Sequence, residues 1–268
     1  AAILARLIDS DRAFALAFIV TGIIAAMLLA FLPSTIKAFD TRGLFLSLAT
    51  ISIFLAPMLY FAPKNHEIPA GLKDISIEPA SSINNVTGII FILGILAISI
   101  MEFTIWANIE RLGIKAGATI DSIGYILSVG TLIGLLGSAF AALLTTRLGR
   151  ILPLIIAITL QALFSYLCIF STSPDLYKFS QAGWSFCLYF AYPYLLGMAA
   201  SLDTLGRWAA ASNGMLVIGQ IIAPSLSAYI IQTNSYYALF IIVVVLTPLS
   251  LMIFLYTNKM SMKGAVIA

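Results

Sequence analysis

Glu102 is the one acidic residue well inside a long apolar stretch of this sequence. An ionised carboxyl at such depth costs about 3 kcal/mol on insertion scales, so it should face a cavity, a partner or a proton. That makes Glu102 the first candidate for loading and releasing a proton and for holding a solute. The plainer alternative is a carboxyl that snorkels to the nearby surface or pairs with Arg111 or Lys115. Around it at helical spacing, Ser99, Trp106 and Asn108 share roughly one face with it. Trp106 suits a substrate platform or an anchor at the membrane interface equally well. Farther on, Trp184, Phe186, Tyr189, Phe190, Tyr192 and Tyr194 crowd one stretch, in which Pro193 removes a backbone hydrogen bond. Tyr189 and Tyr192 offer hydroxyls and ring faces fit for a polyhydroxy or aromatic solute; tyrosines packed between helices would show the same pattern. Gln161 and Gln220 lie in mid-span, where an amide needs a partner. Gly214, Gly219 and Pro224 around Gln220 suggest a flexible element, so Gln220 is the better candidate for the site and Gln161 for bonding between helices.

The composition narrows the chemistry. Of 268 residues, 61% are apolar and 9% charged, and mean hydropathy is +1.06, more apolar surface than a water-soluble domain of this length can bury. His66 is the only histidine, which leaves no His-based metal cluster or Ser-His-Asp triad. Cys168 and Cys187 both lie in apolar stretches and read as small core hydrophobes. A net charge of +3 with no basic, aromatic-rich polar segment gives nucleic acid nothing to bind. No phosphate-binding Gly-x-x-x-x-Gly-Lys-Ser/Thr loop occurs, and no cofactor or metal is expected.

The elements that must position these residues are membrane-spanning helices, since each needs about 20 apolar residues to cross a bilayer core. About eight are predicted, at Ala13–Pro33, Gly43–Phe61, Val86–Ala107, Ser122–Leu144, Ile151–Phe170, Ala182–Ala200, Trp208–Ile231 and Tyr237–Tyr256. The fold class is thus all-α and membrane-embedded. A polar, proline-bearing tether at 62–85 divides the two spans of residues 1–61 from the six of 86–268. Gly130, Gly134, Gly137, Ser138 and Ala141 form a small-residue stripe that reads as close helix packing. Of the fourteen Lys and Arg, nine fall in inner links and tails and five in outer ones if both termini are cytoplasmic, which sets the expected orientation. Arg147, Arg150, Asp203 and Arg207 then meet at the inner surface as a candidate cytoplasmic gate. Ordinary retention of positive charge explains the three arginines without a gate, but not Asp203. The chain lacks an initiator Met and a signal peptide and reads as starting inside a longer gene product.

The link Thr145-Thr146-Arg147-Leu148-Gly149-Arg150 resembles the Asp-Arg-x-Gly-Arg loop of the major facilitator superfamily, which recurs between the second and third helices of each six-helix half. Its position here is that of the C-terminal half. Trp106-Ala107-Asn108-Ile109-Glu110-Arg111-Leu112-Gly113 and Tyr192-Pro193-Tyr194-Leu195-Leu196-Gly197, with Asp203 and Gly206-Arg207, are similar to bacterial members of uncharacterised specificity. The resemblance implies a partial major-facilitator bundle made of helices five to twelve, in a bacterial cytoplasmic membrane, with the helices of Glu102 and Tyr189 lining the pathway. Thr146 stands where the family has Asp, so the charge pairing of that loop is not carried over.

The resulting expectation is a secondary transporter, not an enzyme, that moves a small organic solute by alternating access and couples to protons through Glu102. An intramembrane enzyme acting on a hydrophobic substrate would need a second deep ionisable partner, which the spans do not offer. A membrane sensor or scaffold without transport is the remaining class.

Overall fold

The structure, a computed structural model, describes residues 10–57, 85–144, 149–203 and 205–267. Among these all the regular structure is helical. The elements are α1 (Ser10–Leu55), α2 (Asn85–Lys115), α3 (Ile120–Leu144), α4 (Ile151–Ile169), α5 (Pro174–Ala200), α6 (Arg207–Thr233), a 3-10 turn at Tyr236–Ala238 and α7 (Leu239–Ile267). α1 is two rods joined at a break, where Phe39 leaves helical geometry and Asp40 takes φ 52°. Asp tolerates positive φ better than most side chains. The chain folds back there, so that a Cβ on Gly43 would stand 2.9 Å from the Thr35 carbonyl carbon. Counting these rods separately gives eight helices among the described residues, of which six are long and apolar enough to cross a membrane. The tether and Arg147 lie outside the described residues.

Two predicted boundaries move. α2 does not end at Ala107 but runs to Lys115, because Glu110, Arg111 and Lys115 extend the helix past its apolar part. Glu102 therefore sits deeper than a turn from the surface. α5 starts at Pro174 rather than Ala182, since the Ser173 side chain accepts from the Leu176 N–H and Pro174 fits the first turn. α5 falls outside the six most apolar spans. Ser, Gln and Tyr replace aliphatic residues along it, and most of its length is buried against α1, α3 and α4.

α3 shows how the bundle is sorted between lipid and protein. Leu132, Leu136, Phe140 and Leu143 are exposed on one side, as an outer face in a bilayer requires. Gly130, Gly134, Gly137 and Ser138 lie on the other, against Gln181, Ser185, Phe186 and Tyr189 of α5. Without Cβ atoms the two backbones approach closely and gain dispersion contacts, which drives helix association where lipid is as apolar as leucine.

The same contact repairs α5. Pro193 has no N–H, so the Tyr189 carbonyl one turn earlier loses its helical donor. Ser138 Oγ from α3 donates to that carbonyl at 2.8 Å. Ser138→Ala should therefore lower the thermal midpoint by an amount equivalent to about 1–3 kcal/mol, the cost of an unpaired buried carbonyl. Adding Pro193→Ala restores the backbone donor and should recover most of the loss. Additive losses in the double variant would show that the two groups do not share this carbonyl.

The links alternate between two ends. At one, Lys115 Nζ donates to the Ile169 carbonyl at 2.9 Å and lies 3.7 Å over the Tyr237 ring, joining the ends of α2 and α4 to the 3-10 turn that leads into α7. At the other, Gly149 and Arg150 line a cleft together with Met198, Ser201 and Leu202 at the α5 end and Thr257, Asn258 and Ser261 of α7. The start of α2, into which the tether leads, is at this second end, because Gly88 packs on Trp208 at the start of α6.

Candidate functional site

Between the first rod of α1 and the group α2, α3 and α5 lies a cavity of about 380 Å³. α1 contributes Phe18, Thr21 and Leu29; α2 contributes Glu102, Phe103 and Trp106; α3 contributes Thr131; α5 contributes Trp184, Ser185, Tyr189 and Tyr192. Its size fits a small organic solute. The positions follow helical periodicity: Glu102 and Trp106 are one turn apart on α2, and Trp184, Ser185, Leu188, Tyr189 and Tyr192 make a continuous stripe on α5.

Glu102 is 1% exposed. The Tyr192 hydroxyl donates to its Oε2, while Oε1 makes no hydrogen bond of good geometry. Gln161 from α4, fully buried, interacts with the same carboxyl, and its amide makes no hydrogen bond of good geometry. Three helices thus converge on one carboxyl. The alternative pairings fail: Arg111 is exposed, and Lys115 is engaged at the end of the bundle.

The aromatic residues form walls. Trp106 stacks on Trp184 with ring centroids 6.3 Å apart and planes within 8°, and both rings line the cavity. The Trp184 indole N–H is buried without an acceptor. Phe18 packs edge-on to Tyr189 at 6.4 Å and tilted on Tyr192 at 5.3 Å. Two of the residues expected beside Glu102 turn away from the cavity: Ser99 Oγ donates to the Leu216 carbonyl on α6 at 2.8 Å, and the Asn108 amide to the Thr104 carbonyl at 2.9 Å.

The two mid-span glutamines exchange their expected places. Gln220 is exposed on α6 and does not line the cavity, whereas Gln161 reaches Glu102. Both are equally deep along their helices, so only rotation about the axis separates them. Trp184, Ser185, Phe18 and Thr131 were not singled out as site residues from sequence. Trp184 belonged to the aromatic stretch that signals α5; Phe18 is one apolar residue among many and carries no signal.

At the Arg150 end the polar residues are partly structural. Asp203 Oδ2 accepts from the Arg207 side chain at 2.9 Å and from the Arg207 N–H at 3.1 Å, with the Trp208 N–H 3.5 Å from Oδ1. The Asp203 side chain is 6% exposed and accepts from the first backbone N–H of α6. Arg150 lies at the start of α4 beside a cleft of about 310 Å³.

No known family matches this sequence, and no curated protein is similar to it in sequence. Solved structures do match its fold. One is the crystal structure of the E. coli fucose:proton symporter, FucP, with a TM-score of 0.60 at 14% identity, covering 84% of this chain. The chain spans 58% of the length of that structure. The fold is thus of the major-facilitator type, an all-helical membrane architecture.

Proposed function

We propose, with the major-facilitator-type fold as the premise, that this chain belongs to a secondary active transporter that carries a small organic solute by alternating access. The observation that carries the reading is a single carboxyl, Glu102, held by Tyr192 at the wall of an aromatic cavity between two helical groups. Proton binding at Glu102 couples transport to a pH gradient, since a lone carboxyl away from water is held most cheaply when neutralised. Trp106, Tyr189 and Tyr192 contact the solute. The end that carries Arg150, Asp203 and Arg207 faces the cytoplasm and closes the pathway on that side in one conformation; both termini lie on this side of a bacterial inner membrane. The solved likeness to a proton symporter supports the coupling. Nothing in the cavity favours an intramembrane enzyme: Glu102 has tyrosines and a glutamine as neighbours, with no second acid, base or metal ligand among the described residues.

The test is uptake into proteoliposomes that hold the gene product, with and without an imposed pH gradient. The expected result is accumulation that appears with the gradient and collapses with a protonophore. Uptake indifferent to the gradient would remove the coupling, and no uptake of any solute class would remove the transport reading.

A further inference from the structure

We propose that the Glu102 cavity takes cations with a flat apolar body, such as arylammonium ions, and that cation and proton occupy this one carboxyl in turn, so that the two are exchanged. This rests on the transport reading for its physiological meaning, while the binding chemistry stands on the cavity itself.

The first argument is charge. Among the described residues, the cavity wall holds one acid and no base. From α5 the titratable groups facing Glu102 are Tyr192 and Tyr189, from α4 comes only the neutral Gln161, and α1 and α3 present hydroxyls. α6 and α7 send no charged group to it among the described residues. An anionic solute would meet an unopposed carboxylate, and a cation would meet its missing counter-charge.

The second argument is the count of unspent polar groups. The Thr21 hydroxyl donates to the Ala17 carbonyl and the Thr131 hydroxyl to the Leu127 carbonyl, each on its own helix. Ser185 Oγ accepts from the Gln181 amide, and the Tyr192 hydroxyl is committed to Glu102. Among the fully buried atoms of the wall, Glu102 Oε1 and the Trp184 N–H make no hydrogen bond of good geometry. The wall is mostly ring faces and aliphatic side chains, so a polyhydroxy solute would leave hydroxyls unsatisfied against it, at about 1–3 kcal/mol each. A flat apolar body loses nothing there, and the Trp106, Trp184 and Tyr189 rings attract a cation laid against them.

The third argument is occupancy. Glu102 Oε1 accommodates a proton or a cation, and a bound proton removes the charge that the cation needs. A cation that enters from one side therefore expels the proton to that side, and on the other side a proton displaces the cation. No bond other than O–H is made or broken.

The test uses a quaternary arylammonium ion, (1-naphthylmethyl)trimethylammonium, whose own charge does not change with pH. Its binding to the purified protein in phosphatidylcholine nanodiscs is read by quenching of tryptophan fluorescence, beside a naphthalenesulfonate and a hexose. The expected result is saturable binding of the cation alone, weakening by up to about tenfold per pH unit on the acid side, the limit for one-proton linkage. Glu102→Gln should weaken it at least about tenfold and abolish the pH dependence. Cation binding that ignores pH in the unaltered protein overturns the shared carboxyl, whether or not the variant folds. Tighter binding of hexose or sulfonate overturns the solute class and leaves proton-coupled transport standing. Cation binding as described, with no gradient-driven uptake of any solute, overturns the transport reading alone.

Discussion

Glu102→Gln should retain solute exchange at saturating solute and lose accumulation driven by a pH gradient. The amide is close in shape to the carboxyl and still accepts from the Tyr192 hydroxyl, so the local geometry at α2 and α5 survives. What it cannot do is gain and lose a proton. One pH unit is worth about 1.4 kcal/mol, a tenfold concentration ratio when one proton moves per solute. The unaltered protein should therefore reach a ratio of about ten per pH unit, and the variant a ratio of about one. Counterflow of labelled solute, measured in the same vesicles, separates this loss from simple unfolding. A variant that still accumulates solute against its gradient would show that the proton is carried elsewhere, and one that loses counterflow even at saturation would show Glu102 to be a structural member of the bundle.

Gly137→Val should be among the most damaging single changes outside the cavity. A Cβ at this position would press on the Phe186 carbonyl and stand 3.1 Å from the Phe190 backbone N. Both are backbone atoms and cannot rotate aside, so α3 and α5 must separate. Overpacking of this kind costs roughly 1–3 kcal/mol, and separation also weakens the Ser138 bond to the Tyr189 carbonyl. The expected readout is a lower thermal midpoint in detergent together with loss of monodisperse protein. Gly214→Ala on α6 is the control, because nothing stands within 4 Å of a Cβ there. It should hold or raise stability by up to about 1 kcal/mol through helix propensity. Equal damage from both substitutions would mean that close approach of α3 and α5 is not what these glycines serve.

Much of the architecture is legible in the residues themselves. Long apolar stretches announce helices whatever their surroundings, and a charge or a proline inside one is conspicuous. Glu102, Trp106, Tyr189 and Tyr192 share one cavity for that reason: each is an oddity within its own helix. The direction in which a helix points its residues is far less legible. A helix bathed in lipid is apolar on its outer side as well as its inner side, so no stripe tells one face from the other. Gln161 and Gln220 were exchanged for this reason, and the Trp106–Trp184 stack, which depends on two helices turning toward each other, was invisible. The Phe39–Asp40 break is hidden differently: the spans on either side are legible, but the reversal is made by these two residues, with Asp40 at φ 52°, and no glycine gives notice of it. The Gly130–Ser138 stripe was the exception, since small residues mark the inner face directly.

Lys115 ties three helices at one end of the bundle through a carbonyl and an aromatic ring. Such a fastening works like the rivet of a fan: α2, α4 and α7 keep their spacing there, and whatever spreading they allow grows with distance from it. The opposite tips, where Arg150 and the last turns of α5 and α7 border an open cleft, then have the longest lever arm and the widest travel.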